Sequence, residues 1–171
     1  MINKLSRNFA VRIKKAAPDS PQSVEVLKYA LSAILNTFFI IGFSLIVSLF
    51  TGKLSEVIIV LIGFALLRQV SGGFHLKSGT WCIIVSTLGI TLISFADFGQ
   101  AVSSRITVIA LILALIFAPS RIEKQTRIPA KYFPILKLLS ILIVSTNFAL
   151  HFPVLSTAFL VQGLTLIRRR G

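Results

Sequence analysis

Charged side chains make up only 13% of this 171-residue chain, against roughly 25% in soluble domains. With 55% hydrophobic residues and a mean hydropathy of +0.90, that shortage excludes an ordinary water-soluble domain and points to an integral membrane protein. Acidic residues are the scarcer sign, five Asp and Glu against 18 Lys and Arg. A basic excess would suit nucleic acid if it formed a stripe on a soluble fold. Here the basic residues fill short gaps between apolar runs, where orientation signals belong, so the expected partner is the lipid bilayer and no nucleic acid is expected. The single cysteine, Cys82, excludes an internal disulfide and leaves either a small buried apolar residue or a free reactive thiol. The histidines, His75 and His151, are too few for zinc, and no metal or other cofactor is expected. The basic start MINKLSRNFAVRIKK lacks a cleavage site and an immediate apolar run, so no removed signal peptide is expected.

What is present is apolar length. Six stretches stand out at about 27–50, 54–67, 80–98, 106–118, 135–152 and 154–167. A spanning helix needs ~20 residues, so the second, fourth and sixth are short. With the N-terminus inside, all but Lys53 and Arg105 of the 18 basic residues fall on the cytoplasmic side, the bias that orients short-loop membrane proteins. The expected fold is therefore all-α: one polytopic membrane domain over residues 1–171, with about six transmembrane helices, both termini cytoplasmic, in a bacterial cell membrane. A four-span arrangement with re-entrant pieces satisfies the same charge rule. Ahead of the first span, Ile2, Leu5, Phe9, Ile13 and Ala16 recur at steps of three and four among basic residues. That pattern predicts an interfacial amphipathic helix over 1–17, ended by the turn chemistry of PDSPQS.

The chemistry concentrates at one membrane boundary. His75 and Cys82 are the minimum for cysteine peptidase chemistry: the imidazole takes the thiol proton and later protonates a leaving amine. On a straight helix they would lie ~10 Å apart along the axis, too far for proton transfer. Gly72, Gly73 and Gly79 permit the chain to fold back. Thr80 is the expected N-cap of a helix with Cys82 in its first turn, where the helix dipole favours thiolate and free N–H groups can hold an oxyanion. Lys77 and Arg68 act in the same sense. The bland alternative makes Cys82 an apolar helix residue, His75 an interfacial loop residue and the glycines a helix contact. No acid stands within the motif to orient His75; the topology leaves Asp19, Glu25 and Glu123 inside, and none is assigned. Asn36 and Asn147 are expected to form helix-to-helix hydrogen bonds, and His151 to be interfacial on the opposite side.

The run RQVSGGFHLKSGTWC, from Arg68 to Cys82, resembles the signature of the accessory gene regulator B family, membrane endopeptidases that process autoinducing-peptide precursors in Gram-positive bacteria. FAPSRIEKQTRIP, from Phe117 to Pro129, is similar to that family's loop after the fourth span. The resemblance implies Cys82 as nucleophile, His75 as general base and acid, and Arg68, Gly72 and Gly73 as supporting residues, with Lys77 beside them. It also implies a substrate: a short precursor with an amphipathic leader, a central signal and an acidic tail. The precursor is cut before the tail, held as a thioester and released as a thiolactone or lactone ring.

Two other functions fit a small membrane protein. A peptide exporter without chemistry would carry charges in mid-span or Gly/Pro-interrupted segments in matching halves, and neither is seen. A scaffold would need Gly72 and Gly73 but not Cys82. A homodimer is the working expectation for the oligomeric state.

Overall fold

The computed structural model describes residues 2–74, 78–120 and 128–167. His75 and Lys77 lie outside the described residues, as do 121–127 of the loop singled out above. All regular structure among the described residues is helical, apart from one isolated bridge between Gly72 and Ser120. The helices are α1 (Ile2–Ala16), α2 (Val24–Thr51), α3 (Leu54–Ser71), α4 (Gly79–Ile93), α5 (Gln100–Phe117), α6 (Phe133–Ser145), α7 (Asn147–Leu150) and α8 (Pro153–Leu166), with a single 3₁₀ turn at Ala130–Tyr132 before α6. The expected fold class, an all-helical membrane protein, is what the chain adopts.

All six apolar stretches are helical, but their lengths differ from the reading by hydropathy. The second and fourth gain polar residues at their ends and reach 18 residues as α3 and α5. With α2 and the stretch Ala130–Leu150, they are long and apolar enough to cross a membrane. The third, expected over 80–98, stops at Ile93 and is only 15 residues long, while the sixth has 14. Large apolar side chains point outward along these helices, Phe38, Phe50 and Leu92 among the most exposed. In a water-soluble protein such side chains would be covered; on a spanning helix they meet lipid.

Two compact units make up the chain. One comprises Met1–Val47 and His75–Gly89. In it α1 turns Ile2, Ser6 and Ala10 inward, and Ser32 of α2 donates its hydroxyl to that of Ser6 at 2.8 Å. The apolar stripe of Leu5, Phe9 and Ile13 stays exposed.

The other unit comprises Ser48–Phe74 and Ile90–Gly171. Its core joins Leu67 of α3, Ala110 and Ala114 of α5, Val144 of α6, and Leu155 and Phe159 of α8. Small residues let the backbones close up: a Cβ on Gly63 would overlap Leu155, and one on Gly163 would come 3.1 Å from Leu113. Buried polar side chains pair across the same helices. Asn147 donates to Thr107 Oγ1 at 3.0 Å and accepts from the Phe152 N–H at 3.1 Å, the helix-to-helix role expected of it. His151 has the left-handed φ of 54° where α7 ends, and its Nε2 lies 3.1 Å from Gln100 Nε2.

Candidate functional site

The residues ahead of His75 form a hydrogen-bonded corner in the second unit. α3 runs on to Ser71 and then turns sharply, because Gly72 and Gly73 adopt φ of +73° and +123°, conformations that side-chain-bearing residues resist. At Gly73 the constraint is doubled, since a Cβ would stand 2.6 Å from Thr165 Oγ1.

Polar contacts then fix the turn from three directions. Gly73 N–H donates to the Ser120 carbonyl at 3.0 Å and Ser120 N–H to the Ser71 carbonyl at 2.9 Å, tying the corner to the segment after α5. Phe74 N–H donates to the Thr165 carbonyl at 3.2 Å. The remaining contacts converge on Gln162, a side chain of α8 that is 0% exposed. Its amide N–H groups reach the Gly72 carbonyl at 2.7 Å and Ser71 Oγ at 3.0 Å. Its oxygen accepts from Arg68 Nη1 at 3.3 Å and from Thr165 Oγ1 at 3.2 Å.

Arg68 completes the clamp by donating from Nη2 to the Phe74 carbonyl at 2.7 Å. Its guanidinium therefore holds the backbone that leads into His75, and a charge-assisted bond of this kind is among the stronger ones available to a loop. Of the site residues read from the sequence, Arg68, Gly72 and Gly73 come together here. His75 and Lys77 lie outside the described residues.

Cys82 is described with the other unit. Helix α4 begins at Gly79, one residue before the expected Thr80 cap. Ser78 occupies the cap position, because its carbonyl accepts the first intrahelical bond, from Cys82 N–H at 2.9 Å. Thr80 thus lies inside the first turn rather than capping it. Cys82 is the fourth helical residue, a half-buried free thiol. The N–H groups of Gly79, Thr80 and Trp81 precede it and have no intrahelical acceptor. Against this turn packs Asn36 of α2: a Cβ on Gly79 would come 2.9 Å from Asn36 Oδ1. That oxygen is buried and accepts no hydrogen bond among the described residues.

Gln162, Ser71, Ser120 and Thr165 escaped the sequence reading. The available signal was Gln162 itself, an amide inside an apolar run, which a membrane helix keeps only where it finds partners.

The comparisons with known proteins agree with one another. The family model described as Accessory gene regulator B (AgrB) matches residues 1–167. A curated protein of Halalkalibacterium halodurans, described as "Putative AgrB-like protein", is 31% identical over 100 residues, covering 58% of this chain and 51% of that protein. The match thus spans about half the length of the curated relative. No solved structure matches.

Proposed function

This chain belongs to the accessory gene regulator B family, and we propose that it is a membrane cysteine endopeptidase acting on a short peptide precursor at the cytoplasmic face. Membership of the family suggests a part in autoinducing-peptide processing. The observation that carries the finer reading is the position of the chain's single cysteine in the first turn of α4, a few residues after a corner whose contacts fix the approach to His75.

In this reading the His75 imidazole takes the proton of Cys82, and the thiolate sulfur attacks the carbonyl carbon before the precursor's tail. The S–C bond forms, and the oxyanion of the tetrahedral intermediate meets the first-turn N–H groups of Gly79, Thr80 and Trp81. The C–N bond then breaks, the imidazolium gives its proton to the departing amine, and the signal part stays on Cys82 as a thioester. An internal cysteine or serine of the precursor attacks that thioester after losing its proton to the imidazole. The ring closes, the C–S bond breaks, and the imidazolium returns its proton to the Cys82 sulfur. Every atom of water is excluded from this balance, so release is a transfer rather than a hydrolysis.

Charge and shape support the precursor's character. With the N-terminus inside, the many basic residues on the cytoplasmic side attract an acidic tail, with Lys77 within the motif. The exposed Leu5, Phe9 and Ile13 stripe of α1 offers an interfacial surface beside which an amphipathic leader lies. Arg68 is assigned to the loop rather than to the tail, since its guanidinium already holds the Phe74 carbonyl.

The test is co-expression with a candidate precursor peptide that carries an amphipathic leader and an acidic tail. Cys82→Ala and His75→Ala are expected to abolish cleavage while leaving membrane abundance unchanged; an active Cys82→Ala protein would sink the reading.

A further inference from the structure

Independently of the peptidase reading, we propose that α1 carries a binding site for an anionic phospholipid: Asn8 and Arg12 hold the phosphate of the headgroup, while Leu5, Phe9 and Ile13 lie against the acyl chains.

The level of α1 against the bilayer follows from its bond to α2. Helix α2 has 28 residues, about 42 Å by helical rise, which exceeds the ~30 Å hydrocarbon core by about eight residues. The excess lies at its N-terminal end. There Glu25 pairs with Lys28 at 3.2 Å and Tyr29 is exposed, whereas the last turns of the helix carry no charge; charged and interfacial aromatic side chains stay out of hydrocarbon. Ser32 is the ninth residue of α2, so it stands where the core begins. Its hydroxyl donates to that of Ser6 at 2.8 Å, which holds α1 at the headgroup boundary.

The sides of α1 then sort by chemistry. With ~100° of rotation per residue, the buried Ile2, Ser6 and Ala10 form the side turned to the protein. Next round the helix come exposed Leu5, Phe9 and Ile13, then Asn8 and Arg12, then Lys4 and Lys15, all exposed. The free side therefore grades from apolar to cationic, as the boundary between acyl chains and headgroups requires. Leu5, Asn8, Phe9 and Arg12 line a shallow cavity of about 100 Å³ on that side, with apolar carbon on one wall and N–H donors on the other. A guanidinium meets a phosphate with two parallel N–H···O bonds, and the Asn8 amide adds a further donor. Helix α1 has five basic and no acidic side chains, which selects an anionic lipid. Arg7 and Lys14 fall on the far side of the helix, Lys14 donating to the Ser20 carbonyl. Helix α4 makes the contrast: it exposes Trp81, Leu88 and Leu92 but has no charged side chain, so it offers acyl chains a surface and a phosphate nothing.

Because Cys82 is the chain's single cysteine, a probe can be placed by Ile13→Cys in the full-length Cys82→Ser protein, labelled with the fluorophore NBD. The labelled protein is reconstituted into phosphatidylcholine vesicles that contain an equal minor fraction of either phosphatidylglycerol or phosphatidylcholine brominated on its acyl chains, and quenching gives the relative affinity of the two lipids for α1. Both lipids are expected to quench, with phosphatidylglycerol the stronger at low salt. Arg12→Gln should cut that preference about fivefold, the loss of one basic contact at an anionic headgroup. Arg12→Lys should keep most of the preference, and Arg7→Gln should leave it in place. Equal quenching by the two lipids overturns the anionic site. An unchanged preference in Arg12→Gln overturns it too, as does an equal loss in Arg7→Gln, which would put the effect in the net charge of α1 rather than in the cavity. No quenching by either lipid overturns the contact with the bilayer and gives the stripe to a protein partner. Each of these outcomes leaves the peptidase reading where it stood.

Discussion

Gln162 donates its side-chain N–H to the carbonyl of Gly72, 90 residues earlier in the chain, at 2.7 Å. That bond joins the last helix to the turn that leads into His75. Replacing Gln162 by Leu keeps the volume but leaves the Gly72 carbonyl without this donor in an apolar setting. The expected loss is about 1–3 kcal/mol of stability, read as a lower midpoint in thermal unfolding in detergent. The peptidase reading adds a second effect: cleavage should fall further than folded protein does, because the Gly72–Phe74 backbone ahead of His75 loses this tie.

Gly73→Ala tests the same corner through sterics. Its φ of +123° disfavours any side chain, and the new Cβ would meet Thr165 Oγ1. Strain of this kind costs about 1–3 kcal/mol. Thr165→Ala in the same chain should recover only part of the loss, since it removes the clash but not the backbone strain. Full recovery would place the whole cost in the clash.

The extent to which this was legible in the sequence follows from the range of the forces involved. The three-and-four spacing of Ile2, Leu5, Phe9 and Ile13 is local, and α1 ends at Ala16 as the turn chemistry requires. Apolar runs likewise announce helices, but hydropathy stops at polar residues where a helix need not. Helix α3 continues through Arg68 to Ser71, because those side chains find partners in Phe74 and Gln162. Helix α5 starts at Gln100 rather than at 106, with Ser103 bonded to Ser156 of α8. The stretch 135–152 breaks near Thr146, whose hydroxyl turns back to the Ile143 carbonyl at 2.7 Å. The pair of Cys82 and His75 is visible as residue types. The Gln162 clamp is not, because its meaning depends on a contact 90 residues away.

Asn147 should matter for stability and not for chemistry. Asn147→Ala removes the bond to Thr107 and the acceptor of Phe152 N–H. About 1–3 kcal/mol should be lost. The pH profile of Cys82 alkylation should be unchanged in whatever protein remains folded.

The two faces of α1 should separate folding from docking. Ser6→Leu overfills a position that is 0% exposed and is expected to destabilise by about 1–3 kcal/mol. Phe9→Glu alters the exposed stripe, leaving the fold intact. In a cleavage assay with the leader-bearing precursor it should raise KM with little change in kcat, and a truncated precursor without its leader should be insensitive to it.

The most direct measurement is intact mass spectrometry of the purified, detergent-solubilised protein incubated with a candidate precursor peptide bearing an amphipathic leader and an acidic tail, in wild type and Cys82→Ser. The account predicts a peptide mass added to the wild type, removed by hydroxylamine as a thioester is, with the matching tail fragment released and no such labile adduct on Cys82→Ser. A verified precursor that is neither cut nor attached, or one cut equally by both proteins, would contradict it.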